Sequence, residues 1–402
     1  MSFLVVGTGL NGLDENARTA IRAVDRVFGP SRASGWLTDV PYTPWPKRFT
    51  DVFAELDELN ERDVTVGIVA TGDPMWFGIG STLTRRYGAD AVKIVPSPSA
   101  FSLAAARMKW PLEHIACVSL HGTATNGRGV AALSQHVAPN TKIIALSAGQ
   151  TTPGEIAHWL TERGFGQSTM TVLERMGTND ERIRSMQVSD FDLNGIADMN
   201  VVAIECDVAS GASWHAVTGG LPNDAFTHDG QLTKADIRAM TIARLRPRAG
   251  GVMWDVGAGC GSVGIEWLRL SPNGMVHAVE PKRERADMIA TNGKAFGLSG
   301  LEIIEARAPD ALDSLPAPDV VFIGGGITDP AITETCWSAL RSGGTIAANV
   351  VTLEGEARLA QLHKQHGGRL TRVSISHAEK IGPYRGWRPA MPVLMWSAEK
   401  RA

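Results

Sequence analysis

The chain has 402 residues, of which 44% are hydrophobic and 20% are charged, and its formal net charge is -3. A chain of this length is long enough for about two or three domains, each with its own core. The lack of a basic excess argues against a nucleic-acid partner, and no apolar run approaches the roughly 20 residues of a membrane span. Met1 and Ser2 lead directly into a strand without the regions of a signal peptide, so we expect a cytoplasmic protein.

The four cysteines are far apart in the sequence and form no C-x-x-C pair; they are Cys117, Cys206, Cys260 and Cys336. This spacing indicates neither a disulfide framework nor a zinc site. We therefore expect no bound metal and predict that all four cysteines are buried as small hydrophobic residues.

In the first half, three short apolar strands each end in a turn rich in glycine or proline. Residues 3–6 lead into Gly-Thr-Gly-Leu-Asn-Gly at 7–12, and residues 64–70 lead into Thr-Gly-Asp-Pro at 71–74. The third strand ends in Pro-Ser-Pro-Ser at 96–99. The first turn alone is a weak dinucleotide signal, because no clear acid ends the strand that follows it.

The order and spacing of these turns resemble the tetrapyrrole (corrin and porphyrin) methyltransferases, which carry a glycine-rich first loop, a G-D-P-x-x-x-G segment and a V-P-G-x-S-S-type turn. The resemblance implies two α/β subdomains with S-adenosylmethionine (SAM) in the cleft between them, held largely by backbone groups. Gly7, Gly9 and Asp73 are then the expected cofactor contacts. For Asp73 a role as an Asx-type turn residue before Pro74 is an equal alternative. The chain departs from the family at Leu10, where many relatives have proline, and at 97–98, where glycine is usual.

A polar segment without hydrophobic periodicity lies between residues 207 and 231, where Gly, Ser, Pro, Asn and Asp predominate. Such composition is typical of a domain boundary. We predict a first domain at 1–207, a linker at 208–230 and a second domain at 231–402.

The second half contains a buried-strand pattern at residues 252–256 that includes Asp255 and runs into three alternating glycines and Ser262. Glycine accepts a positive φ and has no Cβ, so a ligand can lie against this turn. Ser262 is predicted to cap the helix at 263–270. A dinucleotide fingerprint would need a third glycine at position 262, which argues against a nicotinamide cofactor.

The pattern D-x-G-x-G-x-G resembles motif I of the class I SAM methyltransferases. The next strand, 276–279, ends at Glu280, the acid that would hold both ribose hydroxyls in that family. The alternative, a tight turn without a ligand, leaves this second acid unexplained. Thr233 precedes a helix and has an acid three residues later, which predicts a capping box.

The second half alternates strands and helices in the manner of a parallel sheet. Strands are predicted at 252–256, 276–279, 301–304, 320–323, 345–350, 370–376 and 391–396. These make a seven-stranded, doubly wound, Rossmann-like sheet whose ligands lie beyond the strand carboxyl ends. The predicted fold class is thus α/β, with a tetrapyrrole-methyltransferase fold followed by a class I SAM methyltransferase domain.

The second half also closely resembles the small precorrin-decarboxylating methyltransferases. The resemblance rests on L-T-K-x-x-x-R at 232–238, D-V-G-A-G-C-G-S at 255–262, E-x-R-A-P-x-A-L at 305–312, F-I-G-G-G at 322–326 and T-L-E at 352–354. The expected cofactor contacts in this half are Thr233, Asp255, Gly257, Ala258, Gly259, Cys260, Gly261, Glu280 and Ala308.

The loop between the last two strands, residues 379–389, carries two arginines and two aromatic residues. These side chains suit a flat substrate with many carboxylates, although a solvated hairpin loop is the alternative. The cations expected to bind substrate are Lys234, Arg238, Arg307, Arg385 and Arg388. The candidate proton donors for a decarboxylation are Glu354, Tyr384 and His377.

Together the two halves resemble the fused, decarboxylating precorrin methyltransferases of cobalamin synthesis. The resemblance implies methylation of a precorrin at C5 and C15 with loss of a ring acetate carboxylate, and two SAM sites, one per domain. We also expect a homo-oligomer, either a dimer or a tetramer. The alternatives are a methyltransferase pair with another substrate, a nicotinamide-dependent oxidoreductase and a non-catalytic SAM sensor.

Overall fold

The computed structural model describes residues 3–121, 129–210 and 214–401. The chain divides into two compact units, Met1–Trp214 and His215–Ala402. The division falls inside the segment that the sequence predicts as a linker.

The first unit contains two sheets flanked by helices. Its strands are β1 (Phe3–Thr8), β2 (Arg26–Gly29), β3 (Tyr42–Pro44), β4 (Val66–Thr71), β5 (Val92–Val95), β6 (Ala116–Ser119), β7 (Lys142–Leu146), β8 (Thr169–Glu174), β9 (Arg182–Gln187) and β10 (Asn200–Glu205). Its α-helices are α1 (Glu15–Ile21), α2 (Val52–Glu61), α3 (Ile79–Tyr87), α4 (Ala100–Met108) and α5 (Thr152–Glu162).

The first sheet has the order β3-β2-β4-β1-β5, with all neighbouring strands parallel. All six residues of β1 are buried, as expected for a central parallel strand covered on both faces. The second sheet has the order β6-β7-β10-β8-β9 and is largely antiparallel, with only β6 and β7 parallel. The two α/β subdomains that the family resemblance implies are therefore present.

The second unit is built on one large sheet and a separate hairpin. Its strands are β11 (Val252–Val256), β12 (Met275–Val279), β13 (Leu301–Ile304), β14 (Val320–Ile323), β15 (Thr345–Val350), β16 (Arg369–Val373), β17 (Ser376–Ile381), β18 (Tyr384–Pro389) and β19 (Val393–Glu399). Its α-helices are α6 (Ala235–Leu245), α7 (Ser262–Arg269), α8 (Arg283–Ala295), α9 (Pro330–Ala339) and α10 (Leu353–His366).

The large sheet has the order β13-β12-β11-β14-β15-β19-β16, in which β19 runs antiparallel between β15 and β16. The seven predicted strands are all present. The strand order reverses at β11, so the crevice between β11 and β14 lies where doubly wound sheets bind ligands. The carboxyl ends of β11, β12, β14 and β15 therefore meet at one edge of the sheet.

Residues 379–389 are not a loop. They belong to the antiparallel hairpin of β17 and β18, in which Ser376 pairs with Pro389 and Ile381 with Tyr384. All six residues of β17 are exposed, so this hairpin contributes little to the core.

The start of the second unit also differs from the prediction. Leu221 and Phe226, in the segment expected to be a linker, are buried in the hydrophobic core of this unit. Polar and glycine residues surround these two apolar anchors in the sequence, which is why composition alone suggested a linker. The second unit begins near His215 rather than at residue 231.

Both helix-cap predictions are wrong. Gly261, with a φ of +78°, is the N-cap of α7, so Ser262 is already the first helical residue. Thr233 does not cap α6, whose N-cap position is held by Lys234 without a side-chain bond. Instead the Oδ1 atom of Asn223 accepts from the Ala235 N–H at 3.0 Å. The acceptor comes from a distant part of the chain, which a local motif cannot reveal.

Three of the four cysteines are buried, and Cys117 is half-buried. Within the described residues, no helix combines the length and the hydropathy that are needed to cross a membrane.

Candidate functional site

A cavity of about 350 Å³ lies in the first unit, where the turns after β1 and β4 face residues from β7, β8 and β10. Gly9 and Asp73 of the predicted site line it, as does His121, which follows β6. The cavity thus joins the two subdomains of this unit.

Gly7 does not line this cavity but allows the turns around it to meet. A Cβ on Gly7 would lie 2.6 Å from the Gly72 carbonyl oxygen and 2.8 Å from the Ser97 Cβ. Contacts this short leave no room for a side chain. Gly7 therefore shapes the cavity through close packing, and the structure does not support the direct contact that the sequence predicts.

Asp73 has the turn role that the sequence left open, and its contact with the cofactor stays a prediction. Its Oδ1 atom accepts from the Met75 N–H at 2.7 Å, which is an Asx-type turn. Asp73 is also one of the residues that line the cavity.

Sequence reasoning missed two aromatic residues at this cavity, Trp76 and Phe77. Their rings lie 5.0 and 5.8 Å from the ring of Phe101, and all three residues line the cavity. Large apolar residues inside a glycine- and proline-rich turn are a usable signal, because such a turn cannot bury them in its own core.

A second cavity, of about 510 Å³, lies in the second unit at the carboxyl edge of the large sheet. It is walled by the turn after β11, by the segment before α6, by the ends of β14 and β15, and by residues near β16 and β19. Of the residues predicted to bind SAM, Thr233, Gly257, Ala258 and Gly259 line it.

The three glycines after β11 have different surroundings, although all three have positive φ angles of +61° to +78°. A Cβ on Gly257 would lie 2.6 Å from the Gly325 N, so this glycine allows two strand-end turns to approach. A Cβ on Gly261 would lie 3.0 Å from Ile289. At Gly259 the nearest atom would be the Gln231 carbonyl oxygen, at 3.7 Å. Gly259 therefore offers open space for a ligand, whereas Gly261 and the buried Cys260 do not line the cavity.

Asp255 does not line the cavity and instead bonds the helix that follows the glycine turn. The residue is 1% exposed, and its Oδ2 atom accepts from the Gly264 N–H in the first turn of α7 at 2.9 Å. Burial raises its pKa to about 7, against the effect of the Gly264 N–H, which favours the charged form. Asp255 thus joins β11 to α7, and the predicted direct cofactor contact is not supported.

Glu280 lies at the end of β12 and holds the glycine turn. Its Oε2 atom accepts from the Gly259 N–H at 2.9 Å, and its Oε1 atom accepts from the Lys282 N–H at 3.1 Å. A carboxylate oxygen has a further lone pair that could accept from a ligand hydroxyl. Glu280 is 3% exposed and does not line the cavity, so its contact with the ribose stays a prediction.

Two family models match the chain, one for each unit. The tetrapyrrole (corrin/porphyrin) methylases match residues 2–192, and the precorrin methyltransferase domain matches residues 224–400. The chain is 37% identical to a precorrin-6Y C(5,15)-methyltransferase [decarboxylating] of a Sinorhizobium species, over 98% of this chain and 94% of that protein. The protein of the same name from Mycobacterium tuberculosis is 36% identical, over 99% of this chain and 100% of its own length.

The chain belongs to the precorrin-6Y C(5,15)-methyltransferase (decarboxylating) family. Among solved structures, the C-terminal domain of a precorrin-6Y C5,15-methyltransferase from Rhodobacter capsulatus is 43% identical, with a TM-score of 0.44, over 46% of this chain and 100% of its own. A probable cobalt-precorrin-6B C(15)-methyltransferase (decarboxylating) of Pyrobaculum calidifontis is 31% identical, over 46% of this chain and 98% of its own length.

Arg238 is a precorrin-methyltransferase motif residue that we expected to bind substrate, and this expectation is wrong. Its side chain is 0% exposed and forms an ion pair with the equally buried Glu266. Two of its guanidinium nitrogens donate to the carbonyl oxygens of Thr233 and Leu221. Because α6 faces the core at this position, the cation cannot reach a ligand.

The three candidate proton donors of the decarboxylating site do not lie together. His377 lines the second cavity, and its Nε2 atom is 3.8 Å from Asp236. Glu354 is exposed in the first turn of α10, and Tyr384 is 76% exposed on the hairpin; neither lines the cavity.

The remaining predicted cations are placed in three ways. Lys234 lines the second cavity, and its Nζ atom donates to the Gly230 carbonyl oxygen at 3.2 Å. Arg385 and Arg388 lie on the exposed hairpin, where Arg388 pairs with Glu379. Arg307 is exposed after β13 and does not line the cavity. Neighbouring Ala308, an expected cofactor contact, does not line it either and packs against the core.

Arg285 and Asn349 are among the residues of this cavity that the predicted binding and catalytic residues do not include. Arg285 bonds Asp229 and Gln231, and the Nδ2 atom of Asn349 donates to the Thr241 Oγ1 at 2.7 Å. Asn349 is the next-to-last residue of the predicted strand 345–350, at its ligand-side end, and that position was the available signal.

Proposed function

We propose that this chain methylates precorrin-6Y at C5 and C15 and removes carbon dioxide from the ring C acetate, which yields precorrin-8X in cobalamin (vitamin B12) biosynthesis. The observation that carries the proposal is the pair of separate cavities, one per unit. Each is lined by a glycine turn at the carboxyl end of a parallel strand. Membership in the precorrin-6Y C(5,15)-methyltransferase family supports the substrate.

SAM supplies a methyl group on a sulfonium, which a nucleophilic carbon accepts by in-line displacement. The protein's contribution to such a reaction is mostly to position the donor against the acceptor. We assign one SAM site to each unit. In the second unit, the open space at Gly259 supports an adenosyl group. Glu280, which holds the Gly259 turn from behind the cavity wall, is the residue we assign to the two ribose hydroxyls.

We divide the two methylations between the units. The second unit carries the motifs of the decarboxylating enzymes, and a C(15)-methyltransferase of about half this length is 31% identical to part of this chain. We therefore assign C15 methylation and decarboxylation to the second unit, and C5 methylation to the first. This assignment needs no strong base, because the reduced macrocycle provides its own nucleophilic carbons.

The decarboxylation needs a proton, since breaking the bond to the carboxylate leaves an electron pair on the macrocycle. His377 is our candidate donor, because of the three predicted donors it is the one that lines the cavity. Glu354 and Tyr384 stay predictions that require substrate to extend beyond the cavity.

We assign substrate carboxylates to the cations on this side of the second unit. Lys234 lies in the cavity wall, and Arg385 and Arg388 lie on the hairpin that follows β16. Arg307 completes this predicted set, from which the buried Arg238 is excluded.

The test is to incubate the full chain with precorrin-6Y and SAM and to weigh the product. We expect a gain of two methyl groups and the loss of one carbon dioxide. A product that gains methyl groups but keeps every carboxylate would contradict the decarboxylation, and turnover only of another tetrapyrrole would contradict the substrate.

A further inference from the structure

The segment at residues 219–234, which we name the strap, forms one wall of the second cavity. Its last four residues, 231–234, line that cavity, and α6 begins immediately after them. Most of the strap lacks regular secondary structure. Its position must therefore be set by contacts with the helices beneath it.

The first anchor of the strap is Glu266 on α7. Its two carboxylate oxygens accept from the N–H groups of Gly220 and Leu221, at 2.6 and 2.9 Å. A Cβ on Gly220 would lie 2.7 Å from the Cβ of Ala239, so the strap here runs directly against α6.

The second anchor is Arg238 on α6, which bonds the strap at two separate places. Its Nε atom donates to Glu266 at 2.6 Å, and its two terminal nitrogens donate to the carbonyl oxygens of Leu221 and Thr233. Its guanidinium also lies 4.8 Å from the centre of the Phe226 ring. One side chain thus joins the start of the strap, its middle and the cavity-lining Thr233.

Two further contacts join the strap to the ligand side of the cavity. Asn292 exchanges hydrogen bonds with the backbone of Thr227 and also donates to the Cys260 carbonyl oxygen in the glycine turn, at 2.9 Å. Arg285 bonds Asp229 and Gln231 of the strap and is itself part of the cavity wall.

A fully buried ion pair is a costly way to stabilise a fold, because both charges lose their hydration. The hydrogen bonds of this pair serve a specific purpose: both terminal nitrogens of Arg238 donate to carbonyl oxygens of the strap, and Glu266 accepts from two N–H groups of the strap. We propose that Arg238 is a positioning residue for SAM binding in the second unit, acting through Thr233 and the strap. This inference rests on the proposed function, which assigns a SAM site to that cavity.

The chain contains a matched control in Arg269 on α7. Arg269 is also buried, also lies over a phenylalanine ring, and also donates to two backbone carbonyl oxygens, those of His215 and Ala216. These two acceptors precede the strap and do not line the cavity. Substitution of either arginine by lysine keeps the charge but removes the guanidinium fork that reaches several acceptors at once.

The experiment follows hydrogen–deuterium exchange of the glycine turn, residues 255–262, in the full chain as SAM is added. The SAM concentration that gives half-maximal protection reports the affinity of the second site alone. For Arg238→Lys we expect that concentration to rise about tenfold, the effect of roughly one hydrogen bond to a charged group. For Arg269→Lys we expect an unchanged concentration. The midpoint temperature of thermal unfolding should fall for both variants.

A second measurement on the unaltered chain does not depend on the folding of a variant. Peptides of the strap between residues 226 and 234 should gain protection at the same SAM concentration as the glycine turn. A strap that does not respond to SAM, or an unchanged midpoint in a folded Arg238→Lys variant, would overturn the positioning role alone. If the glycine turn of the unaltered chain gained no protection, the second SAM site and the role of Arg238 would both be wrong.

Discussion

Glu280 accepts a hydrogen bond from the backbone N–H of Gly259, with 2.9 Å between Oε2 and N. This bond joins the end of β12 to the turn after β11, so the predicted ribose-binding acid also fixes the predicted SAM-binding glycine. The spacing of the sequence placed both residues in one site. Their direct contact is what the structure adds.

The first prediction concerns Glu280→Ala, which should weaken SAM binding to the second unit about 10- to 100-fold. A hydrogen bond to a charged group contributes roughly 1.5 to 3 kcal/mol, and the variant also frees the Gly259 turn. Calorimetric titration of the full chain with SAM should then show one weakened site and one unaltered site. Glu280→Gln is the control: it keeps an acceptor for Gly259 and should lose less affinity. If both sites of Glu280→Ala bound SAM with the affinities of the unaltered chain, this acid would not be a SAM ligand.

The second prediction concerns Asp255, whose pKa is raised from 3.8 to about 7 by burial. Because the folded chain holds this proton at a higher pH than the unfolded chain does, the contribution of Asp255 to the free energy of unfolding falls as pH rises from about 4 to about 7. Asp255→Asn removes this titration. Thermal melts at pH 5 and pH 8 should therefore differ less in the variant than in the unaltered chain. Asp313→Asn, an exposed position, serves as the control and should leave that difference unchanged. An undiminished difference in Asp255→Asn would show that this carboxyl does not titrate in the window.

The sequence predicted the seven strands of the large sheet because each is a short, nearly continuous apolar run between turn residues. Val252–Val256 and Val320–Ile323 have the predicted bounds, and such runs are typical of parallel strands covered on both faces. The carboxyl-edge rule then placed Gly259 and Glu280 together. These steps require only local patterns and one topological rule.

Side-chain direction and distant partners could not be predicted in this way. Arg238 belongs to a motif beside the site, but the rotation of α6 turns it into the core, where Glu266 pairs with it. Leu221 and Phe226 are single apolar residues in a polar segment, so neither forms a periodic pattern. The buried position of Asp255 likewise depends on the start of α7, which the cap prediction placed one residue late.

The third prediction concerns the start of the second unit. A fragment of residues 215–402 should unfold cooperatively, whereas a fragment of residues 231–402 should not. The shorter fragment lacks Leu221 and Phe226, each of which stabilises by about 1.5 to 3 kcal/mol through burial, and it leaves Glu266 without its two N–H donors. Circular dichroism melts of both fragments make the comparison. Equal melting temperatures would return residues 215–230 to the role of a linker.

The fourth prediction concerns the hairpin cations Arg385 and Arg388. Their joint replacement by alanine should raise the Michaelis constant for the tetrapyrrole about 2- to 30-fold, since exposed ion pairs contribute about 0.2 to 1 kcal/mol each. The affinity for SAM should stay unchanged. Added salt should have a similar effect on the unaltered chain, because it screens exposed charges over about 8 to 10 Å.

A control for the hairpin is Glu379→Ala, which releases Arg388 from its ion pair and leaves both arginines in place. This variant should not raise the Michaelis constant. If the double arginine variant also left the constant unchanged, the hairpin would be a solvated surface element without a role in substrate binding.

The division of the two methylations between the units is the central claim, and the product of the second unit alone tests it most directly. Residues 215–402 are incubated with precorrin-6Y and SAM, and the product is weighed. We predict the gain of one methyl group together with the loss of one carbon dioxide. A gain of two methyl groups, or a methylated product that keeps all of its carboxylates, would contradict the account.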